Sequence, residues 1–139
     1  MENILSLNIE EISIGMSISH TQIITESDTQ QFARISGDYN PVHLDEEYAS
    51  KSRFKKRIAH GMLSASFFSG LFGTKIPGEG CVYISQSLRF LRPVYLGDEV
   101  VANVEVKNVD KKRKRVKFKT VCRVNNKKVI DGEAEILIP

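Results

Sequence analysis

The chain has 139 residues, of which 41% are hydrophobic, and this composition fits one ordinary domain with its own core. Twenty Lys and Arg against seventeen Asp and Glu leave a net charge of +3, too small an excess to indicate nucleic-acid binding. The start, "MENILSLNIEEISIG", does not resemble a secretion signal, and no stretch approaches the ~18 apolar residues that cross a bilayer. We therefore expect one cytoplasmic domain, residues 1–139, that binds neither nucleic acid nor membrane.

The first predicted helix follows an irregular or edge-strand start. The segment "SDTQQFARIS" (27–36) has the spacing of a short amphipathic helix, with Phe32 and Ile35 on one face. Ser27 or Thr25 is expected to cap its first turn.

The next segment, "SGDYNPVHLD" (36–45), is rich in polar residues. Pro41 is expected to exclude a helix here and to keep Asn40 extended. Asp45 is expected to cap a second short helix, "EEYASKS". The polar groups are typical of a solvent-exposed loop, but they could equally converge on one small molecule.

A long helix is predicted for "HGMLSASFFSGLFGT" (60–74). Its residues are apolar on nearly every side, so we expect it to be buried on every side.

From residue 81 the hydrophobic period changes to two, which predicts antiparallel strands with one covered face. One central helix followed by such strands indicates an α+β domain in which a curved sheet wraps the helix. Cys81 and Cys122 fall in strand-like runs and are expected to be reduced and buried, and "KKRKR" (111–115) to be a solvated turn. Gln86 interrupts this alternation in the first strand. The positions expected on the covered face are Val82, Ile84, Leu88, Phe90, Val100, Ala102, Val104, Val106, Val116, Phe118, Thr120, Cys122, Ile130, Ala134, Ile136 and Ile138.

Three segments together resemble the MaoC-like hotdog family. They are "SGDYNPVHLD", "AHGMLSASFFSGLFG" and "GEGCVYISQSLRFLRPVYLGDEV", and the resemblance runs from about residue 10 to the C-terminus. Within the family the chain is most similar to (R)-specific enoyl-CoA hydratases. The resemblance implies a hotdog fold, a homodimer, and water addition that interconverts trans-2-enoyl-CoA and (R)-3-hydroxyacyl-CoA with neither metal nor redox cofactor.

The same resemblance implies roles for individual residues. Asp38 and His43 form the catalytic pair, because a carboxylate and an imidazole on one water can take one proton and return another. The Gly61 backbone N–H, at the start of the long helix, belongs to the oxyanion hole. Ser69 matches a family active-site serine, although a small packing residue would fit there as well. Asn40 is assigned first to holding the loop.

Other functions stay open. A 3-hydroxyacyl-ACP dehydratase would keep the chemistry and change the carrier, whereas a hotdog thioesterase would need its base beside the thioester carbon. A catalytically silent acyl-thioester-binding module is disfavoured by the intact Asp38/His43 pair. His43, Asp45 and His60 also have the composition of a two-His-one-carboxylate iron site, but His60 directly precedes a helix and the strand-rich flanks of a cupin are missing.

The basic run "KSRFKKR" (51–57) precedes the long helix. Lys55, Lys56 and Arg57 are expected to bind the carrier, through the phosphates of CoA or the acidic helix of an acyl carrier protein. A solubilising loop is the alternative interpretation.

Overall fold

The computed structural model describes residues 3–139. After a 3-10 helix at Ile9–Glu11, the elements in chain order are β1 (Ser17–Ile23), α1 (Glu26–Ser36), α2 (Pro41–Leu44), α3 (Glu46–Ser50), α4 (Gly61–Thr74), β2 (Val82–Gln86), β3 (Arg89–Phe90), β4 (Glu99–Asp110), β5 (Arg115–Val124) and β6 (Lys127–Leu137).

The strands form one six-stranded antiparallel sheet. Its order is β1-β4-β5-β6-β2, and the two-residue β3 also pairs with β6. Helix α4 packs against β1, β4, β5 and β6. The α+β architecture with a sheet around a central helix is therefore confirmed.

The core lies between α4 and the three long strands. On β4 and β5 every predicted core position is fully buried, from Val100 through Cys122, and the predicted positions of β6 are almost as inaccessible. These side chains pack against Phe68 and Phe72 of α4. The alternation of apolar residues thus identified the covered face of β4–β6 correctly.

Strand β2 departs from the prediction of a covered face. It is an edge strand, and Val82 and Ile84 are 44% and 40% exposed. Gln86, which interrupts the apolar pattern, donates from Nε2 to Oγ1 of the fully buried Thr120 at 2.8 Å. The Gln86 amide therefore gives the buried Thr120 hydroxyl a hydrogen-bond partner, which explains a polar residue at this position.

Helix α4 also departs from the prediction, since it is not buried on every side. Leu63, Phe68, Leu71 and Phe72 face the sheet, whereas Met62 is 55% exposed. Met62 forms a stripe with three further exposed residues, and we call this stripe the open face of α4: Met62, Ser66, Ser69 and Gly73.

The turns follow the sequence more closely. Exposed residues 111–114 form the turn between β4 and β5, as expected for "KKRKR".

Both cysteines are free. Cys122 is buried, which raises the pKa of its thiol to about 12, whereas Cys81 is only partly buried. Within residues 3–139, no helix has the length and apolar character needed to cross a membrane.

Candidate active site

Asp38 lies directly after α1. Thr25 caps that helix by accepting from the Asp28 N–H at 3.1 Å, and Gly37 ends it in the left-handed conformation with φ 79°. The turn exposes the Asp38 carboxylate, whose Oδ1 accepts from the Asn40 N–H at 3.1 Å. The side chain of Asp38 stays 47% exposed, and its Oδ2 atom faces His43.

Pro41 begins a helix, which corrects the expectation that it would exclude one. A proline at the first helical position loses no hydrogen bond, because that N–H has no partner within the helix. Asn40 is the N-cap of α2, accepting through Oδ1 from the Val42 N–H at 3.2 Å. Its expected loop-holding contact is therefore present, and it places His43 on a helical turn.

His43 is the buried member of the pair, with 8% of its surface exposed. Its Nδ1 atom lies 2.7 Å from the Ile58 carbonyl oxygen. Because a carbonyl only accepts, Nδ1 carries the proton and Nε2 has the free lone pair. That Nε2 atom lies 3.8 Å from Asp38 Oδ2. The pKa of His43 is lowered from its ordinary value of 6.5, chiefly by burial, against the raising effects of the Ile58 carbonyl and of Asp38.

Arg57 is bound to the framework of the pair, and this corrects its grouping with the exposed lysines. Its Nε donates to the His43 carbonyl at 2.7 Å, and its Nη1 pairs with Glu26 of α1 at 2.6 Å. The Arg57 side chain is only 11% exposed and is already paired with a carboxylate, so it is less available to an external anion than the lysines. Lys55 and Lys56 are exposed, as a carrier-binding role requires.

His60 was considered in the sequence only as a metal ligand, yet it touches both members of the pair. Its Nε2 donates to the Asp38 carbonyl oxygen at 3.0 Å, and its ring lies against the His43 ring with centroids 4.0 Å apart. The position directly before the glycine that starts α4 is the one sequence signal that could have suggested this role.

Gly61 is the first residue of α4, and first-turn N–H groups have no partner within the helix, so its N–H is available to an anion. A Cβ here would come within 2.6 Å of the Phe90 ring. The residue lines a cavity of about 320 Å³ together with Arg53, Phe54, Ser64 and other side chains.

Ser69 is not brought to Asp38 and His43. It lies two turns further along α4, on the open face. There it lines a groove of about 490 Å³ with Leu88, Tyr83, Met62 and Phe32 among others. The centroid of the Phe32 ring lies 4.9 Å from that of the His60 ring, so the groove is connected to Asp38 and His43 through His60.

The metal alternative is not favoured by the geometry. Asp45 caps α3 through Oδ1 to the Tyr48 N–H at 3.1 Å, so it is not a candidate ligand. Ligand atoms of Asp38, His43 and His60 do lie within 4.8 Å of one another. However, the two rings are stacked with an angle of 30° between their planes. A nitrogen lone pair lies in the plane of its ring, and two rings whose centroids are 4.0 Å apart and whose planes are tilted by only 30° do not direct both lone pairs at one ion ~2 Å away.

The helix, sheet and polar turn define a hotdog protein in which a carboxylate and an imidazole lie 3.8 Å apart near the start of the central helix. The sequence matches the family described as the MaoC like domain over residues 11–129. The chain belongs to this family.

Three relatives illustrate the similarity. The (R)-specific enoyl-CoA hydratase of Rhodospirillum rubrum is 48% identical over 130 residues, which cover 94% of this chain and 90% of the relative. The structure of an R-hydratase from Pseudomonas aeruginosa superimposes with a TM-score of 0.92 at 44% identity, covering 98% of this chain and 88% of that one. A mitochondrial 3-hydroxyacyl-[acyl-carrier-protein] dehydratase of Arabidopsis thaliana is 38% identical over 132 residues, covering 92% of this chain and 78% of the relative.

Proposed function

We propose that this chain is an (R)-specific enoyl-CoA hydratase, a hydro-lyase that adds water to trans-2-enoyl-CoA and yields (R)-3-hydroxyacyl-CoA. The observation that carries the proposal is the 3.8 Å separation of Asp38 Oδ2 and His43 Nε2. The helix start is close by, because the residue before Gly61 is bonded to the Asp38 backbone. The curated relatives with hydratase and dehydratase names support the same reaction in its two directions.

The pair is suited to hold one water. A distance of 3.8 Å is too long for a direct hydrogen bond, but one water oxygen to the side of the two atoms can lie about 2.8 Å from each. His43 Nε2 offers a lone pair, and the lowered pKa keeps the ring unprotonated near neutral pH. His43 is therefore the group that accepts a proton from the water, while Asp38 orients that water.

The addition is balanced without electron transfer. The water oxygen bonds to C3, the π electrons move toward the thioester carbonyl, and the pair delivers a proton to C2. Water thus supplies OH to C3 and H to C2, so the net reaction needs no redox cofactor. The Gly61 N–H stabilises the enolate-like oxygen, assisted by the positive end of the α4 dipole. The reverse sequence is a dehydration.

We assign the acyl chain to the groove that contains Ser69. Its lining is mostly apolar and includes Met62, which directly follows Gly61 in the chain. Leu88 also lines this groove, whereas Phe68 and Leu71 of α4 are buried in the core and the Phe67 ring contacts His20. Ser69 then contacts the chain rather than the reacting carbons.

The carrier is assigned to the cavity that Gly61 lines. Arg53 and Phe54 line the same cavity, and Lys55 and Lys56 follow them in an exposed turn. Two free ammonium groups beside this cavity fit the diphosphate and 3′-phosphate of CoA. An acyl carrier protein would present an acidic helix to the same charges, and the Arabidopsis relative's name keeps that carrier as the second candidate.

We further propose a homodimer formed through the β2 edge. Val82, Tyr83 and Ile84 expose apolar surface there, beside the open face of α4. Edge-to-edge pairing would satisfy the free backbone groups of β2 and cover this surface. The cytoplasmic location expected from the sequence stays a prediction.

Parallel assays of the purified protein test the proposed function. Crotonyl-CoA and octenoyl-CoA are followed for loss of the conjugated double bond and, separately, for release of free CoA thiol. Hydration to the (R)-3-hydroxy product without thiol release is expected. Thiol release without hydration would replace the proposal with a thioesterase, and hydration restricted to acyl-ACP substrates would move it to the dehydratase of fatty-acid synthesis.

A further inference from the structure

His60 occupies the junction between α1, the Asp38 turn and α2. It is 2% exposed, and three groups contact its ring. The Asp38 carbonyl accepts from Nε2, the His43 ring stacks on one face, and Phe32 packs at 4.9 Å. No other described side chain has a recorded hydrogen bond or ring contact to both Asp38 and His43.

The contact to Asp38 matters because the other bonds of that residue are local. Its N–H donates to Ser36 Oγ, and its Oδ1 accepts from the Asn40 N–H, each two residues away. The bond from His60 spans 22 residues. It therefore ties the Asp38 turn to the start of α4, whereas the local bonds only shape the turn itself.

We propose that His60 is a positioning residue for water addition: one edge of its imidazole fixes the Asp38 backbone while one face supports the His43 ring, which together set the Asp38–His43 separation. This inference rests on the proposed function.

Histidine meets both requirements in a way that other flat rings do not. The Asp38 carbonyl requires a donor, so the His60 proton sits on Nε2, whereas the Ile58 carbonyl requires the His43 proton on Nδ1. The two stacked rings are thus opposite tautomers. His60 also contributes electrostatically to the lowered pKa of His43. Two further charged groups contact this site within residues 3–139: the Asp38 carboxylate faces His43, and Arg57, paired with Glu26, is bonded to the His43 carbonyl.

Two substitutions separate positioning from mere filling of space. His60→Phe keeps a ring of similar bulk and loses the donor, whereas His60→Gln keeps an N–H donor and loses the ring. Positioning predicts that His60→Phe lowers kcat by about 10- to 100-fold with little change in KM, the scale of a small misplacement of catalytic groups. His60→Gln is expected to recover part of that loss. His20→Gln, at an exposed histidine bonded to Gln22, is the control and should behave as wild type.

The acid limb of the pH profile gives a second readout. Because His60 helps to lower the pKa of His43, His60→Phe should move this limb to higher pH. A space-filling role predicts the opposite order of the variants. His60→Phe would be fully active with its acid limb at the wild-type pH, and His60→Gln would be impaired. That result would overturn the inference.

A measurement on the unaltered protein keeps the inference testable if a variant does not fold. The chain has three histidines, so nitrogen-15 NMR of the imidazoles should show three rings. Variants that each replace one histidine assign these signals. The Nε2–H tautomer is expected for His60 and the Nδ1–H tautomer for His43. An Nδ1–H tautomer at His60 would overturn the inference whether or not the protein hydrates enoyl-CoA, and absent hydration with the expected tautomers would count against the proposed function instead.

Discussion

The Nδ1 atom of His43 donates to the Ile58 carbonyl oxygen at 2.7 Å, and this bond determines that Nε2 faces Asp38. Ile58 is itself fixed, because its N–H donates to the Val42 carbonyl at 3.2 Å. Val42 and His43 of α2 are therefore both held against the segment that contains Ile58. The tautomer of His43 therefore follows from a bond to a backbone carbonyl rather than from a bond to a second carboxylate.

The first prediction concerns pH. Burial lowers the pKa of His43 below 6.5, and a base is active only when unprotonated. The kcat/KM for crotonyl-CoA should accordingly fall on the acid side as protons occupy Nε2, with the midpoint of that fall below 6.5. Steady-state kinetics across this range measure the limb. A midpoint above 6.5 would contradict the assignment of His43 as the base.

The second prediction concerns Gly61. An alanine Cβ would meet the Phe90 ring at 2.6 Å, so the half-exposed ring must move from the helix start. Gly61→Ala should lower kcat/KM by about 10-fold or more, the scale of one impaired oxyanion donor. Gly70→Ala, where nothing lies within 4 Å of the new Cβ, is the matched control on the same helix. If Gly61→Ala is as active as Gly70→Ala, the close approach at Gly61 has no catalytic use.

The third prediction concerns the carrier. Lys55→Glu/Lys56→Glu should raise KM for enoyl-CoA while kcat holds, and the difference should narrow in high salt as screening shortens to ~3 Å at 1 M. Lys112→Glu/Arg113→Glu reverses two exposed charges in the β4–β5 turn and serves as a control with the same change in net charge. Equal KM values for the two double variants at low ionic strength would show that Lys55 and Lys56 do not bind the carrier, and the 51–57 run would then be a solubilising loop.

The fourth prediction concerns the assembly. Light scattering should give twice the 15.7 kDa mass of one chain. Ile84→Asp, on the exposed β2 edge, should shift the protein toward a monomer, because a buried carboxylate at the interface is unfavourable. Ile23→Asp is the control at the opposite edge, on β1, and should leave the dimer intact. An active wild-type protein with the mass of one chain would rule the dimer out.

Much of the fold was predictable because the long strands bury one face each. The alternation through Val100, Phe118 and Ile136 follows directly from a sheet packed on one side. Strand β2 and α4 were predicted wrongly in burial for a single physical reason. Apolar residues such as Ile84 and Met62 indicate that a surface needs covering, but the pattern does not tell whether the same chain covers it.

The site was predictable where residues are neighbours in sequence. Asp38 and His43 lie on one turn, so their proximity follows from the spacing, and Asn40 caps α2 for the same local reason. The contacts of Arg57 and His60 join residues 14 and 22 positions apart. Such contacts depend on how the segment before α4 returns to α1, which no local pattern encodes. The composition of the basic run 51–57 therefore did not distinguish the structural Arg57 from the exposed Lys55 and Lys56.

The central claim is that Asp38 and His43 act on one water as a unit, and the direct test is kcat for crotonyl-CoA hydration by Asp38→Asn, His43→Ala and the double variant. Circular dichroism first establishes that each variant is folded. Each single variant should lose at least ~100-fold in kcat, the scale of acid–base catalysis. The double variant should be little worse than either single one, because removing one member of a unit already removes its function. Near-full activity in either folded single variant would contradict the mechanism.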